Sequence, residues 1–259
     1  MTPTRLVPVE LAGDRADVRI GLIVPFDFAL DREYWSYAPA DVTLHVTRTP
    51  HLDEPLGMTL VEAVSDDDVI ADAVRELIAA DPLVMAYACT SGSFVRGVGG
   101  EAHIRQVMIE AGARDAVTTS GALLDALVAL DATRVAVGTP YDEQVTAKLG
   151  DFLVESGIDV VSIACFGLHG DVDRVTSESI RRLTMAADSA AADVVFLSCT
   201  NLATFDATAD LERAVDKPVL SANQVTMWSV LRAVDRMPDI DHQLFRRTVG
   251  SADASLRAG

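Results

Sequence analysis

Leu83-Val84-Met85-Ala86-Tyr87-Ala88-Cys89-Thr90-Ser91-Gly92 and Val194-Val195-Phe196-Leu197-Ser198-Cys199-Thr200-Asn201 are the stretches that decide how this chain reads. Each opens on an apolar run of strand length and then delivers a cysteine followed by a hydroxyl residue. Continuous apolar runs of this length mark strands covered on both faces of a parallel sheet. Open α/β sheets place their ligands at the carboxyl ends of such strands. The two cysteines stand 110 positions apart in a chain of 259 residues. That repetition predicts a duplicated unit with one thiol from each copy facing a shared cleft.

Outward from these segments, strands are expected at Val18–Val24 (ended by Pro25), Val42–Thr47, Arg134–Gly138, Val160–Ala164 and Pro218–Ser221. Helices are expected near 65–80, 101–111, 121–130, 142–156, 173–190 and 224–234. Ser65 reads as the N-cap of the first, with Asp66, Asp67 and Asp68 suiting its positive end. Strands alternating with helices predict mostly parallel sheets with right-handed crossovers. The division falls near residue 120. The first α/β half, 1–120, carries Cys89; the second, 121–223, carries Cys199; a closing helix within 224–259 packs back on the first half.

Composition narrows the function. Hydrophobic residues make up 49% of the chain, ample for a core, and 39 acidic against 21 basic residues give a formal net charge of −18. Such a surface repels phosphate backbones and anionic membranes, and no Lys/Arg cluster reverses it locally. No nucleic-acid or membrane partner is expected. The longest apolar runs fall well short of the roughly 20 residues that span a bilayer, and Met1 to Val18 carries scattered charges and lacks a signal-type apolar segment. A cytoplasmic location is the expectation. Cys89, Cys165 and Cys199 form no metal spacing, nor do the five histidines, so no metal is implied. Cys165, inside the apolar run Val160–Phe166, reads as a packing residue. Gly97-Val98-Gly99-Gly100-Glu101-Ala102 fits Gly-x-Gly-x-x-Ala, but Cys89–Arg96 separates it from its strand, so it reads as a flexible loop over the site and not as a nucleotide fingerprint.

The chemistry follows from the thiols. A buried free cysteine usually just packs, but two at matching strand ends point to an acid–base or nucleophilic pair. A thiol titrates near 8.5, so modest perturbation makes one a thiolate while its partner stays an acid. Backbone N–H groups at the strand ends favour the thiolate and bind carboxylate. Thr90, Ser91, Ser93, Thr200 and Asn201 add short donors beside each sulfur. Tyr141, in Thr139-Pro140-Tyr141, ends a strand on the same edge and can donate to an anionic oxygen. His169, in Phe166-Gly167-Leu168-His169-Gly170, also follows a strand and can reach that edge.

With Val24-Pro25, Ala88–Gly92, Thr139–Tyr141 and Ser198–Leu202 in order, the chain resembles the aspartate/glutamate racemase superfamily, in its maleate cis-trans isomerase and arylmalonate decarboxylase branch. The resemblance implies two pseudo-symmetric α/β domains with mostly parallel sheets and a cofactor-free site between them, acting on a small carboxylate in a homo-oligomer. Racemases of the superfamily use the two cysteines as opposed acid and base. Maleate isomerases use the first as nucleophile on the alkene and the second to move a proton. Arylmalonate decarboxylases keep only the second. The resemblance thus makes Cys89 and Cys199 catalytic, with Thr90, Ser91, Tyr141, Thr200 and Asn201 on the substrate. The isomerases' two carboxylate-binding Asn residues fall at Phe28 and His169, which are expected to line the pocket and shift substrate choice. A cis-trans isomerase leads; an amino-acid or hydantoin-type racemase, an arylmalonate-type decarboxylase and a small-molecule sensor are the alternatives.

Overall fold

In a computed structural model, residues 17–247 and Pro8 are described. Strands β1 (Val18–Val24), β2 (Val42–Arg48), β3 (Val84–Tyr87) and β4 (Ala116–Thr118) form a parallel sheet in the order β2-β1-β3-β4. Strands β5 (Arg134–Thr139), β6 (Asp159–Cys165), β7 (Val194–Leu197) and β8 (Val219–Ser221) form a second parallel sheet, β6-β5-β7-β8. The orders are the same when the second set is renumbered from one, which is the duplication the cysteine segments imply. In each sheet the chain order reverses between the first and third strands, and ligands of open sheets bind outside that switch point. Ile23 pairs with Tyr87 and Gly138 with Leu197, so the two loops leaving each switch point emerge side by side.

The helices are α1 (Asp31–Tyr37), α2 (Met58–Val64), α3 (Asp67–Ile78), α4 (Thr90–Phe94), α5 (Gly97–Glu110), α6 (Thr119–Ala129), α7 (Glu143–Glu155), α8 (Ser177–Ala187), α9 (Phe205–Val215) and α10 (Ala222–Ala233). α3 shows the usual logic: Ile70, Ala73, Val74 and Leu77 lie on one stripe and are buried, while acidic residues open its first turn. Its N-cap is Asp66, which accepts from the N–H groups of Asp68 and Val69. Ser65 instead ends α2, its hydroxyl donating to the Glu62 carbonyl. Asp66 wins because a carboxylate also complements the helix dipole.

Three further expectations are corrected. The glycines at 97–100 open helix α5 and form no loop; Gly97, at φ +70°, makes the turn into it. Cys165 is exposed, because β6 is an edge strand with an open face. The span 173–190 is broken into a 3₁₀ turn at Val172–Arg174 and the shorter α8. Of the closing helix, α10 covers 222–233, and residues 248–259 lie outside the described residues. α10 packs on α1, α6, β3, β4 and β8, touching both sheets.

One continuous apolar core takes Ile20, Leu22 and Ala86 from the first sheet, Val135, Val137 and Phe196 from the second, and Val225, Trp228 and Leu231 from α10. Two smaller clusters fill the opposite faces of the sheets. The sheets are thus fixed to one another, with their carboxyl edges facing a common cleft. Among the described residues, no helix is long and apolar enough to cross a membrane.

Candidate active site

The cleft is built from four strand ends. Pro25, Phe26 and Asp27 follow β1; Cys89, Thr90 and Ser91 follow β3; Tyr141 follows β5; Cys199, Thr200 and Asn201 follow β7. Leu60, Val61 and Val64 of α2, with Leu56 and Val172, supply an apolar wall. The free space between these walls is small, about 40 Å³.

The two thiols have matching surroundings. Cys89 receives the Gly92 backbone N–H and lies beside the Tyr87 hydroxyl, whose proton goes to the Val64 carbonyl at 2.7 Å, with Ser91 Oγ 4.0 Å from the sulfur. Cys199 receives the Asn201 backbone N–H and the Tyr141 hydroxyl. These donors favour thiolate, yet both thiols are pushed up, Cys89 to about 11 and Cys199 to about 12, mainly because burial penalises the charged form. The expected ready thiolate is therefore corrected: both are neutral thiols at pH 7. The donors still cradle a thiolate once it forms.

Local conformation explains the motif. A Cβ on Gly92 would stand 2.3 Å from Tyr87 Oη and 3.1 Å from Cys89 Sγ, so only glycine lets its N–H approach that sulfur. Cys199 has φ +101°, a left-handed backbone that a non-glycine residue rarely holds. Strain of this kind persists where the surroundings enforce it, commonly at functional sites. The enforcing contacts are the Asn223 Nδ2 donation to the Thr200 carbonyl (2.9 Å) and both ends of the Asn201 amide.

Asn201 crosses the seam. Its Nδ2 donates to the Asp27 carbonyl at 3.2 Å and its Oδ1 accepts from Ala29 N at 3.0 Å, so its side chain positions the loop after β1. A second bridge is Glu33 of α1, whose buried carboxylate accepts from Thr204 N, Thr204 Oγ1 and Phe205 N at the start of α9. Thr90 Oγ1 is buried beside the cleft without a hydrogen-bond partner. Ser93 is turned away, bonded to Ser120 Oγ and the Thr90 carbonyl.

Cys89, Thr90, Ser91, Tyr141, Cys199, Thr200 and Asn201 thus meet in one cleft. Phe28 and His169 are not in the lining. Phe28 is buried, its ring stacked on Tyr34 at 5.0 Å. His169 is exposed and pairs with Leu56, its carbonyl accepting Leu56 N at 3.0 Å and its Nδ1 lying 3.2 Å from the Leu56 carbonyl. Sequence reading missed Asp27, Glu33 and Tyr87. Tyr87 alone carried a signal, standing two residues before Cys89 on the same strand face.

A profile described as arylmalonate decarboxylase matches residues 47–244. The chain belongs to that family. It is 32% identical over 220 residues to the arylmalonate decarboxylase of Bordetella bronchiseptica, covering 82% of this chain and 89% of that one. It is 28% identical over 231 residues to the maleate isomerase of Nocardia farcinica, covering 84% and 90%. A double mutant of arylmalonate decarboxylase in its liganded form superposes with a TM-score of 0.81 at 28% identity, covering 88% of this chain and 98% of that one. A Cys-to-Ser mutant of the N. farcinica maleate cis-trans isomerase, carrying a covalently bound succinylcysteine intermediate, matches the fold with a TM-score of 0.81 at 24% identity, covering 89% and 98%. The aspartate/glutamate racemase-like fold and the branch both stand.

Proposed function

We propose that this protein is a cofactor-independent isomerase in which Cys89 and Cys199 act together on a small carboxylate, by cis-trans isomerisation at a carbon–carbon double bond. The observation that carries the reading is the pair of thiols at equivalent strand ends of one cleft, each beside a backbone N–H and a buried tyrosine hydroxyl. Halves 1–120 and 121–223 each contribute one thiol. Cys89 loses its proton to solvent, and its sulfur bonds to one alkene carbon. The electron pair released onto the other carbon is protonated by the Cys199 thiol. Rotation about the resulting single bond follows. The Cys199 thiolate then recovers the proton, the double bond re-forms and the C–S bond breaks. Thr90 Oγ1, Ser91 and Thr200 hold the substrate carboxylate.

A second reading, decarboxylation of a malonate-type acid, is favoured by the 32% identity to the Bordetella enzyme. One experiment separates them: cis-enoic acids and arylmalonates are offered to wild type, Cys89→Ser and Cys199→Ser, with products followed by NMR and CO₂ release. Isomerisation should disappear in both variants, falling at least 1,000-fold, and the double variant should be little worse than either single. CO₂ release that survives Cys89→Ser would overturn the two-thiol reading in favour of decarboxylation.

A further inference from the structure

Among the described residues that line the cleft, Asp27 is the one acidic side chain, and no Lys, Arg or His joins it. Asp27 stands at the mouth, reaching solvent, yet its charge is felt by both thiols. The backbone on either side is held by the Asn201 amide, from the Asp27 carbonyl to the Ala29 N–H. A carboxylate on a tethered backbone therefore shares the cleft with both sulfurs, in a site whose other polar groups are hydroxyls, thiols and an amide already in use. Burial, and to a lesser extent the charge of Asp173, push the Asp27 carboxyl above the usual carboxylate range.

This arrangement is unsuited to a substrate with two carboxylates. One is satisfied by Thr90, Ser91 and Thr200. The second, on the far side of the reacting carbons, meets Asp27 with no cation to offset like-charge repulsion in a partly desolvated cleft. A neutral N–H group in the same place donates to Asp27. We propose that Asp27 is a specificity-determining residue that restricts the cleft to substrates carrying one carboxylate and, in place of the second, a nitrogen donor such as a carboxamide. The inference rests on the cleft being the site of reaction. It narrows the substrate class from small carboxylates to half-amides of the dicarboxylic acids that the relatives' names suggest.

The test uses two unreactive four-carbon probes, succinate and its half-amide succinamate, titrated calorimetrically into the full-length protein and into Asp27→Asn and Asp27→Ala. Circular dichroism and melting temperature confirm folding, and the second variant serves if the first fails to fold. Wild type should bind the half-amide at least tenfold more tightly than the diacid. Asp27→Asn, whose amide can donate to a carboxylate, should narrow that ratio at least tenfold or invert it. Turnover of maleate and of its half-amide is measured beside the binding. Equal affinities, preference for the diacid, or no detectable half-amide binding by wild type would overturn the inference, as would a ratio unchanged in both variants. Discrimination that depends on Asp27 without turnover of either alkene sustains this inference and removes only the proposed reaction. Efficient maleate turnover indifferent to Asp27 does the reverse.

Discussion

Replacing Tyr141 with Phe isolates what the cradle does for Cys199. Tyr141 is fully buried, and burial drives its own hydroxyl far above the ordinary range, so it remains a donor at every working pH. It bonds the Cys199 sulfur and receives the Ser198 hydroxyl at 3.4 Å. A hydrogen bond to a charged group contributes about 1.5–3 kcal/mol, which at roughly 1.4 kcal/mol per unit raises the Cys199 pKa by about one to two units. The thiolate fraction at pH 8 then falls about 10- to 100-fold. A more basic thiolate is also a better nucleophile, which offsets nearly half of this on a logarithmic scale and leaves about a 4- to 13-fold slower alkylation. Iodoacetamide labelling followed by peptide mass spectrometry reads each cysteine separately, with Cys89 and the exposed Cys165 as references. Cys199 should slow in Tyr141→Phe while Cys165 does not change. A Cys199 rate that is unchanged or faster relative to Cys89 would refute the cradle.

Glu33→Ala strands the N–H groups of Thr204 and Phe205 in a buried seam; at about 1–3 kcal/mol each, denaturant unfolding should show a loss of about 2–6 kcal/mol, and a loss below about 1 kcal/mol would mean the bridge is not formed. Gly92→Ala should destabilise by about 1–3 kcal/mol and depress Cys89 labelling, since its methyl group displaces Tyr87 Oη; normal stability and labelling would contradict the contact. His242, buried among Tyr37, Phe205 and Phe245, is pushed down from 6.5 to about 4 by desolvation. Its charged form is disfavoured in the folded state, so its stabilising effect is complete above pH 6.5 and lost as pH falls through about 4, by about 3 kcal/mol in all. His242→Phe should remove that loss, and parallel stability curves for wild type and variant between pH 7.5 and 4 would count against it.

The strands were legible because parallel strands buried on both faces show unbroken apolar runs, and the two cysteine segments exposed the duplication. α9 was not, although its inward stripe of Thr208, Leu211 and Val215 is regular. No side chain caps it locally; Glu33, 171 residues away for Thr204, does so, and no local pattern records that. The three-residue β4 is too short for periodicity to register. Seven of the residues expected at the site meet in one cleft since strand ends converge by topology. Asp27 and Phe28 show the limit: they are neighbours in sequence, but one faces the cleft and the other stacks on Tyr34. Side-chain direction in an irregular loop has no period to reveal it. His169 likewise occupies the expected loop but turns to Leu56.

The core shared between the sheets governs how a ligand gets in. Parting the two halves like jaws would wet the apolar contacts joining Leu22, Val137, Phe196 and Trp228 and would break the Glu33 and Asn201 bridges with them. Swinging aside the segment that carries Leu56 releases its pairing with His169 and its packing against the apolar clusters but leaves Leu22, Val137, Phe196 and Trp228 together. The low-energy breathing motion is therefore local, and the spacing of the two thiols stays constant while the doorway moves.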